Sequence, residues 1–99
     1  NPEGRPLIIT RILLNITTPS TGAATVDAGI AADGTTSADN LIDGASVASA
    51  AKVLDNISDV GTNGKARQLW GASQYLTITA SATLAGLVGE AIIEYLPQS

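Results

Sequence analysis

The sequence predicts an all-β protein built as an antiparallel β-sandwich, and three observations favour this fold class. Several segments alternate apolar and polar residues or are rich in β-branched side chains, as strands are. Gly, Asn, Asp, Ser and Pro separate these segments, as turns require. Only 14% of the residues are charged, and Thr, Ser, Ala and Gly are abundant, which is typical of an exposed β module rather than a disordered segment.

The length of 99 residues predicts one domain over residues 1–99, because so short a chain cannot be divided into two cores. We expect residues 1–5 to form an extended N-terminal arm or linker. The hydrophobic residues are mainly aliphatic, with Trp70 as the only very large side chain, so the core is light. A small domain without cysteine usually gains stability by oligomerisation. We therefore expect a homo-oligomer and, since the chain contains no Met, a processed product or a fragment of a longer chain.

The first predicted strand, residues 7–16, is apolar on both faces. At a period of two residues, one face carries Ile8, Thr10, Ile12, Leu14 and Ile16, and the other carries Leu7, Ile9, Arg11, Leu13 and Asn15. A strand in a one-sided sheet alternates apolar and polar residues instead. The pattern therefore predicts that this strand is covered on both faces, either within the fold or by another subunit.

Three further segments predict strands, at residues 24–31, 75–82 and 87–96. The segment 75–82 alternates most regularly and predicts a half-exposed antiparallel strand. The last segment is again apolar on both faces, apart from Glu90 and Glu94. If the first and last strands pair, these glutamates could meet Arg11, which we state as a hypothesis.

The middle of the chain, residues 37–64, predicts an irregular insertion with a brief strand or helix. Val47, Ala50, Ala51 and Leu54 have helical spacing, but Gly and Asp residues divide the segment into short pieces. The residues 61–64, with an Asn-Gly pair, predict a hairpin turn that leads into a strand at 65–70.

Composition excludes several classes of function. The chain has no Cys and no His, which removes disulfides, thiolate or imidazole metal sites and His-dependent nucleophiles. The net charge of −4 is opposite to what binding of a phosphate backbone requires, so we expect no nucleic-acid partner. No apolar run approaches 18 residues, so we expect no membrane span. We predict a protein that is not an enzyme and that has no cofactor.

Two kinds of binding residue remain candidates. Six aspartates lie in or beside predicted turns, and we interpret them as turn residues, with Ca²⁺ ligation as the alternative. Trp70 and Tyr75 could flank a shallow surface that stacks on a sugar, although a lone Trp is more often a core or interface anchor. Glu90 and Glu94 share a strand face, but the roughly 13 Å between them on a strand exceeds the usual spacing of glycosidase carboxylates.

Four stretches of the sequence, residues 12–30, 39–44, 59–64 and 85–95, together resemble tailed-bacteriophage virion modules. These are small β-sandwich domains of capsid decoration proteins, head fibres and related surface appendages. The resemblance implies a sandwich of jelly-roll type that is often trimeric, and no catalytic residues. It also implies a location on the virion surface, with the major capsid protein or another virion protein as partner.

We therefore expect an oligomeric capsid decoration or cement module that stabilises the shell from outside. The alternative is a fibre or adhesin domain that binds a host-surface saccharide through Trp70 or Tyr75. The surplus apolar and charged positions of the first and last strands predict the oligomer interface: Leu7, Ile9, Arg11, Leu13, Glu90, Ile92 and Glu94.

Overall fold

The computed structural model describes residues 1–98, and these residues form seven β-strands and no helix. The strands are β1 (Leu7–Thr18), β2 (Thr25–Ala31), β3 (Ile42–Ser46), β4 (Lys52–Asp55), β5 (Gln68–Trp70), β6 (Tyr75–Ala80) and β7 (Val88–Pro97). The helical spacing near Val47 does not produce a helix. Two short strands, β3 and β4, and irregular backbone occupy the middle of the chain instead.

Two antiparallel sheets pack together, which confirms the predicted β-sandwich. In the first sheet β1 is central. One edge of β1 pairs with β7, and the other edge pairs with β5 near the start of β1 and with β4 near its end. The second sheet has the order β3-β2-β6. The hypothesis that the first and last strands pair is confirmed. The expected jelly-roll arrangement is not established by these seven strands, because a jelly roll has eight.

Two β-bulges in β1 change which of its residues share a face. The register moves from Ile9 opposite Tyr95 to Arg11 opposite Glu94, so Thr10 is an extra residue on β1. Thr17 is extra in the same way. Both threonine hydroxyls donate to carbonyl oxygens of β7, Thr10 to Glu94 at 3.2 Å and Thr17 to Val88 at 3.1 Å. The side chains thereby replace contacts that a bulge removes from the ladder.

The bulge at Thr10 corrects the predicted faces of the first strand. A bulge inverts the alternation of side chains beyond it. Five side chains therefore point into the core from β1: Leu7, Ile9, Ile12, Leu14 and Ile16. They pack with Val26, Ala28 and Ile30 of β2 and with Leu54 and Trp70 in one aliphatic cluster. Strict alternation divides these five inward residues between the two predicted faces. The bulge is therefore one reason why both predicted faces are apolar.

Asn56 joins β4 to β5 across the break in their edge of the sheet. Its side chain is completely buried. The Oδ1 atom accepts the Ile12 N–H at 2.9 Å, and Nδ2 donates to the carbonyl oxygens of Lys65 at 3.2 Å and Ala66 at 3.0 Å. The amide thus satisfies backbone groups that no strand reaches, as buried polar groups require.

The N-terminal residues fold back as a turn, so the expectation of an extended arm over residues 1–5 was wrong. Asn1 Oδ1 accepts the N–H groups of Glu3 and Gly4 at 2.9 and 3.0 Å. Its Nδ2 donates to the carbonyl oxygens of Trp70 and Gly71 at 3.0 and 3.2 Å. These bonds hold the start of the chain against the end of β5.

Asp33 and Asp55 hold turns, as the sequence predicts, whereas Asp27 lies within β2. Asp33 Oδ1 accepts the N–H groups of Thr35 and Thr36 at 2.9 and 2.8 Å, and both threonine hydroxyls as well. These four bonds hold the pKa of Asp33 at about 2 because they favour the charged carboxylate. Asp55 similarly accepts the N–H of Ile57 at 2.7 Å and of Ser58 at 2.6 Å.

Candidate interaction surface

The outward side of the first sheet carries a continuous apolar surface, which we call the outer face. Residues directly opposite each other in a ladder point to the same side of a sheet. Ile8, for example, lies between Leu69 of β5 and Leu96 of β7, and Leu13 lies opposite Ile92. Seven apolar side chains make up the outer face: Ile8, Leu13, Val53, Leu69, Val88, Ile92 and Leu96.

The outer face is open to solvent in the single chain. Val53, Leu69, Val88, Ile92 and Leu96 are all at least 49% exposed. Isolated exposed apolar residues are normal, but a contiguous apolar patch on a small protein marks a site of interaction. Here the exposed residues come from three strands and extend along a molecule that is 42 Å long.

Charged residues interrupt the outer face near its centre. Arg11 lies directly opposite Glu94, and Glu90 lies opposite Asn15. The structure confirms that Arg11 and Glu94 lie opposite each other. They form no ion pair, since Arg5–Glu3 is the only salt bridge found within residues 1–98. Glu94 instead accepts the Thr10 hydroxyl at 2.7 Å.

Arg11 is the cation of this surface, and its side chain is partly buried. Its Nε atom is buried and has no hydrogen-bond partner in the part of the chain that the structure describes. Its charge also acts on Asp55, whose pKa is lowered first by the hydrogen bond from the Ser58 N–H and to a smaller extent by Arg11. A buried N–H without an acceptor is costly.

The structure separates the residues of the predicted interface into two groups. Arg11, Leu13, Glu90, Ile92 and Glu94 share the outer face. Leu7 and Ile9 do not, because both are completely buried in the core of the same chain. Their assignment to an interface was wrong for this reason, and its cause is the bulge at Thr10.

The predicted interface list omits five outer-face residues: Ile8, Val53, Leu69, Val88 and Leu96. Val88 and Leu96 belong to the apolar alternate face already visible in the last strand and could have been included. Val53 and Leu69 lie in strands of only four and three residues, which are too short for a period of two to be recognised.

The predicted aromatic pair does not form a shared surface. Trp70 is only 7% exposed, donates its indole N–H to the Gln74 carbonyl oxygen at 2.9 Å, and packs edge-to-face on Tyr95 with ring centroids 6.3 Å apart. The role of Trp70 as a ligand-facing residue is therefore contradicted, whereas Tyr75 is 51% exposed. Trp70 is the core anchor that the alternative interpretation described.

Neither a metal cluster nor a spanning helix is found in the described residues. Within residues 1–98, no group of three or more acidic, His or Cys side chains is placed to hold a metal ion. The same residues contain no helix of the length and apolar character needed to cross a membrane.

Comparison with known proteins gives no relative for this chain. No protein-family model, no curated protein and no solved structure matches it. The resemblance to phage virion modules therefore remains an interpretation of the sequence.

Proposed function

We propose that this chain is a non-enzymatic structural module that associates with copies of itself through the outer face and binds the exterior of a phage capsid, stabilising the shell. The observation that carries the proposal is the outer face, where five large apolar side chains from three strands are about half exposed or more. The virion assignment is supported by the four sequence stretches that resemble decoration and fibre modules.

Self-association would complete a light core. The buried cluster contains Trp70 but is otherwise aliphatic and includes two alanines, Ala24 and Ala28, and the chain has no cysteine to form a disulfide. Burial of apolar surface contributes about 25 cal/mol per Å². Covering on the order of several hundred Å² per subunit therefore contributes several kcal/mol before the cost of association is subtracted.

We infer a trimer because this is the oligomer that the resemblance to virion modules implies. In such an oligomer the outer faces of the three copies would point toward a common axis. Closed symmetry is the usual form of homo-oligomers and leaves no apolar surface at the ends. Arg11 would then lie close to acidic residues of a neighbouring copy, because Glu90 and Glu94 share its surface. Such pairs would fix the relative position of the subunits.

The saccharide-binding alternative has less support. It requires two aromatic rings on one exposed surface, and the burial of Trp70 leaves Tyr75 alone.

Capsid binding is tested by co-sedimentation with empty heads of tailed phages that lack their decoration protein. We expect saturable binding and a higher melting temperature of the decorated shell. A variant with Tyr75→Ala serves as a control, because this residue lies on β6 and outside the outer face. Absence of binding to every head tested, with a folded protein, would contradict the proposed role on a capsid.

A further inference from the structure

A groove opens between the two sheets, at the edge strands β6 and β7. Within residues 1–98, β6 pairs only with β2, and β7 pairs only with β1. Each of these strands therefore has one edge without a strand partner. Between the two edges lies a cavity of about 150 Å³, lined by Ile78 of β6, Ala91 of β7 and the inward side chains of Leu14 and Ile16.

The groove has the size and chemistry to receive one aliphatic side chain. A cavity of about 150 Å³ with an apolar lining accommodates a molecule as large as benzene. Leu84 and Leu87, in the connection between β6 and β7, are half-buried and close one end of it. Ile78 points inward, opposite the fully buried Ala28, yet it is 47% exposed. The inner side of β6 is therefore uncovered at this place.

The free edge of β7 is also acidic. Glu90 and Glu94 are exposed on its outward row, and neither forms a salt bridge with any residue from 1 to 98. A strand added beside β7 would place its own outward residues next to these carboxylates and its inward residues next to Ala91 and Ile93. Opposite charges across a strand pair stabilise the pair, and like charges destabilise it.

We propose that β7 is a docking edge for an extended segment of another protein, whose outward residues are basic and whose inward residues are apolar. The segment adds one strand to the first sheet, as in β-strand addition. Two Lys or Arg residues four positions apart face Glu90 and Glu94. The apolar residue that lies next to Ala91 enters the groove against Ile78. The backbone edge of β7 is not part of the outer face, but Glu90 and Glu94 belong to both surfaces, so the docked segment and a neighbouring copy would compete for these two carboxylates.

Charge argues against a second copy of β7 as the occupant. An antiparallel pair of β7 strands centred on Ile92 places Glu90 of each copy opposite Glu94 of the other. That arrangement puts like charges directly across the ladder twice, which is destabilising. The glutamates thus disfavour self-pairing of this edge in that register, whereas they favour a basic segment.

The test uses the heptapeptide acetyl-Thr-Lys-Val-Thr-Leu-Lys-Thr-amide, titrated into the full chain and followed by NMR. In the antiparallel register its two Lys residues face Glu94 and Glu90, and its Leu lies next to Ala91. We expect saturable shift changes confined to β6, β7 and residues 84–87. A peptide with Glu in place of both Lys residues, and a second with Thr in place of Val and Leu, should each bind at least about tenfold more weakly.

Two charge variants decide whether the contact is local. Glu90→Lys with Glu94→Lys should weaken binding of the Lys peptide at least about tenfold and favour the Glu peptide. The matched control, Asp39→Lys with Ser37→Lys and Thr62→Lys, changes the net charge equally but lies in the loops before β3 and before β5, and should bind like the wild type. Equal weakening in both variants, shift changes outside the groove, or no saturable binding by the wild type would each overturn the proposal.

Discussion

Single polar side chains replace backbone pairing at places where the strands of this sandwich are interrupted. Asn56 does so between β4 and β5, with three hydrogen bonds from a completely buried amide. Asn40 does so beside β2, where Oδ1 accepts the Ile30 N–H at 2.8 Å and Nδ2 donates to the Ile30 carbonyl at 3.1 Å. A Cβ on Gly29 would come within 2.5 Å of that Oδ1 atom, so the close approach requires Gly there.

Replacing Asn56 by Ala should lower the free energy of unfolding by about 3 kcal/mol, because the Ile12 N–H and two carbonyl groups then lose their partner inside the protein. Urea denaturation measures the change. Asn63→Ala is the control, since Asn63 is exposed and its side chain donates only to the half-buried Asp39; we expect a change within about 0.5 kcal/mol. Similar losses in both variants would contradict the structural role of Asn56.

Asp33 should make stability depend on pH in a defined window. Hydrogen bonds from Thr36 and Thr35 lower its pKa from the ordinary 3.8 to about 2 in the folded protein. A carboxyl group whose folded pKa is lowered stabilises the protein above its unfolded pKa, and this contribution is lost as the pH falls through the folded pKa. Melting temperatures of the wild type and of Asp33→Asn should therefore converge between pH 4 and pH 2. Parallel curves over that range would show that the carboxylate is not held in this turn.

At the scale of elements, the sequence was sufficient for the long strands and insufficient for the bulges. The apolar residues of β1 and β7 predict long strands because both segments exceed nine residues and are rich in aliphatic side chains. No feature of Thr10 marks it as an extra residue, since the bulge arises from how β7 aligns with β1 at a distance of more than 80 positions. Leu7 and Ile9 were therefore assigned to the wrong side.

Deleting Thr10 should leave the fold intact, although deletion within a central strand normally inverts one half of it. Without this residue, Ile9 precedes Arg11 directly, and simple alternation keeps Leu7, Ile9 and Ile12 on the inner side. Deletion of Leu13 has no such compensation and should prevent folding. Circular dichroism on heating distinguishes the two, and loss of the folded state in both variants would contradict the assignment of the bulge.

Substitution of two equally exposed isoleucines should affect the oligomer differently, because only one of them lies on the outer face. Ile92 and Ile57 are both 49% exposed, but Ile92 is on the outer face, and Ile57 lies in the turn after β4. Ile92→Asp should dissociate the oligomer, as should Leu13→Asp, because each places a carboxylate in an apolar contact. Ile57→Asp should leave the oligomer intact. Analytical ultracentrifugation measures the outcome, and dissociation by Ile57→Asp alone would place the contact elsewhere.

At the scale of the whole molecule, the two sheets leave apolar surface uncovered in two places. The outer face is uncovered because the first sheet has a second layer only on its inner side. The groove is uncovered because neither β6 nor β7 has a second strand neighbour within residues 1–98. Sequence patterns predicted the sandwich and part of the outer face, but the groove depends on strand order, which local patterns do not contain.

The mass of the wild-type protein in solution tests self-association most directly. Light scattering at micromolar concentration should give three times the chain mass of 10.0 kDa, because the outer face is covered only in the oligomer. A stable mass of one chain would contradict the outer face as a surface for self-association.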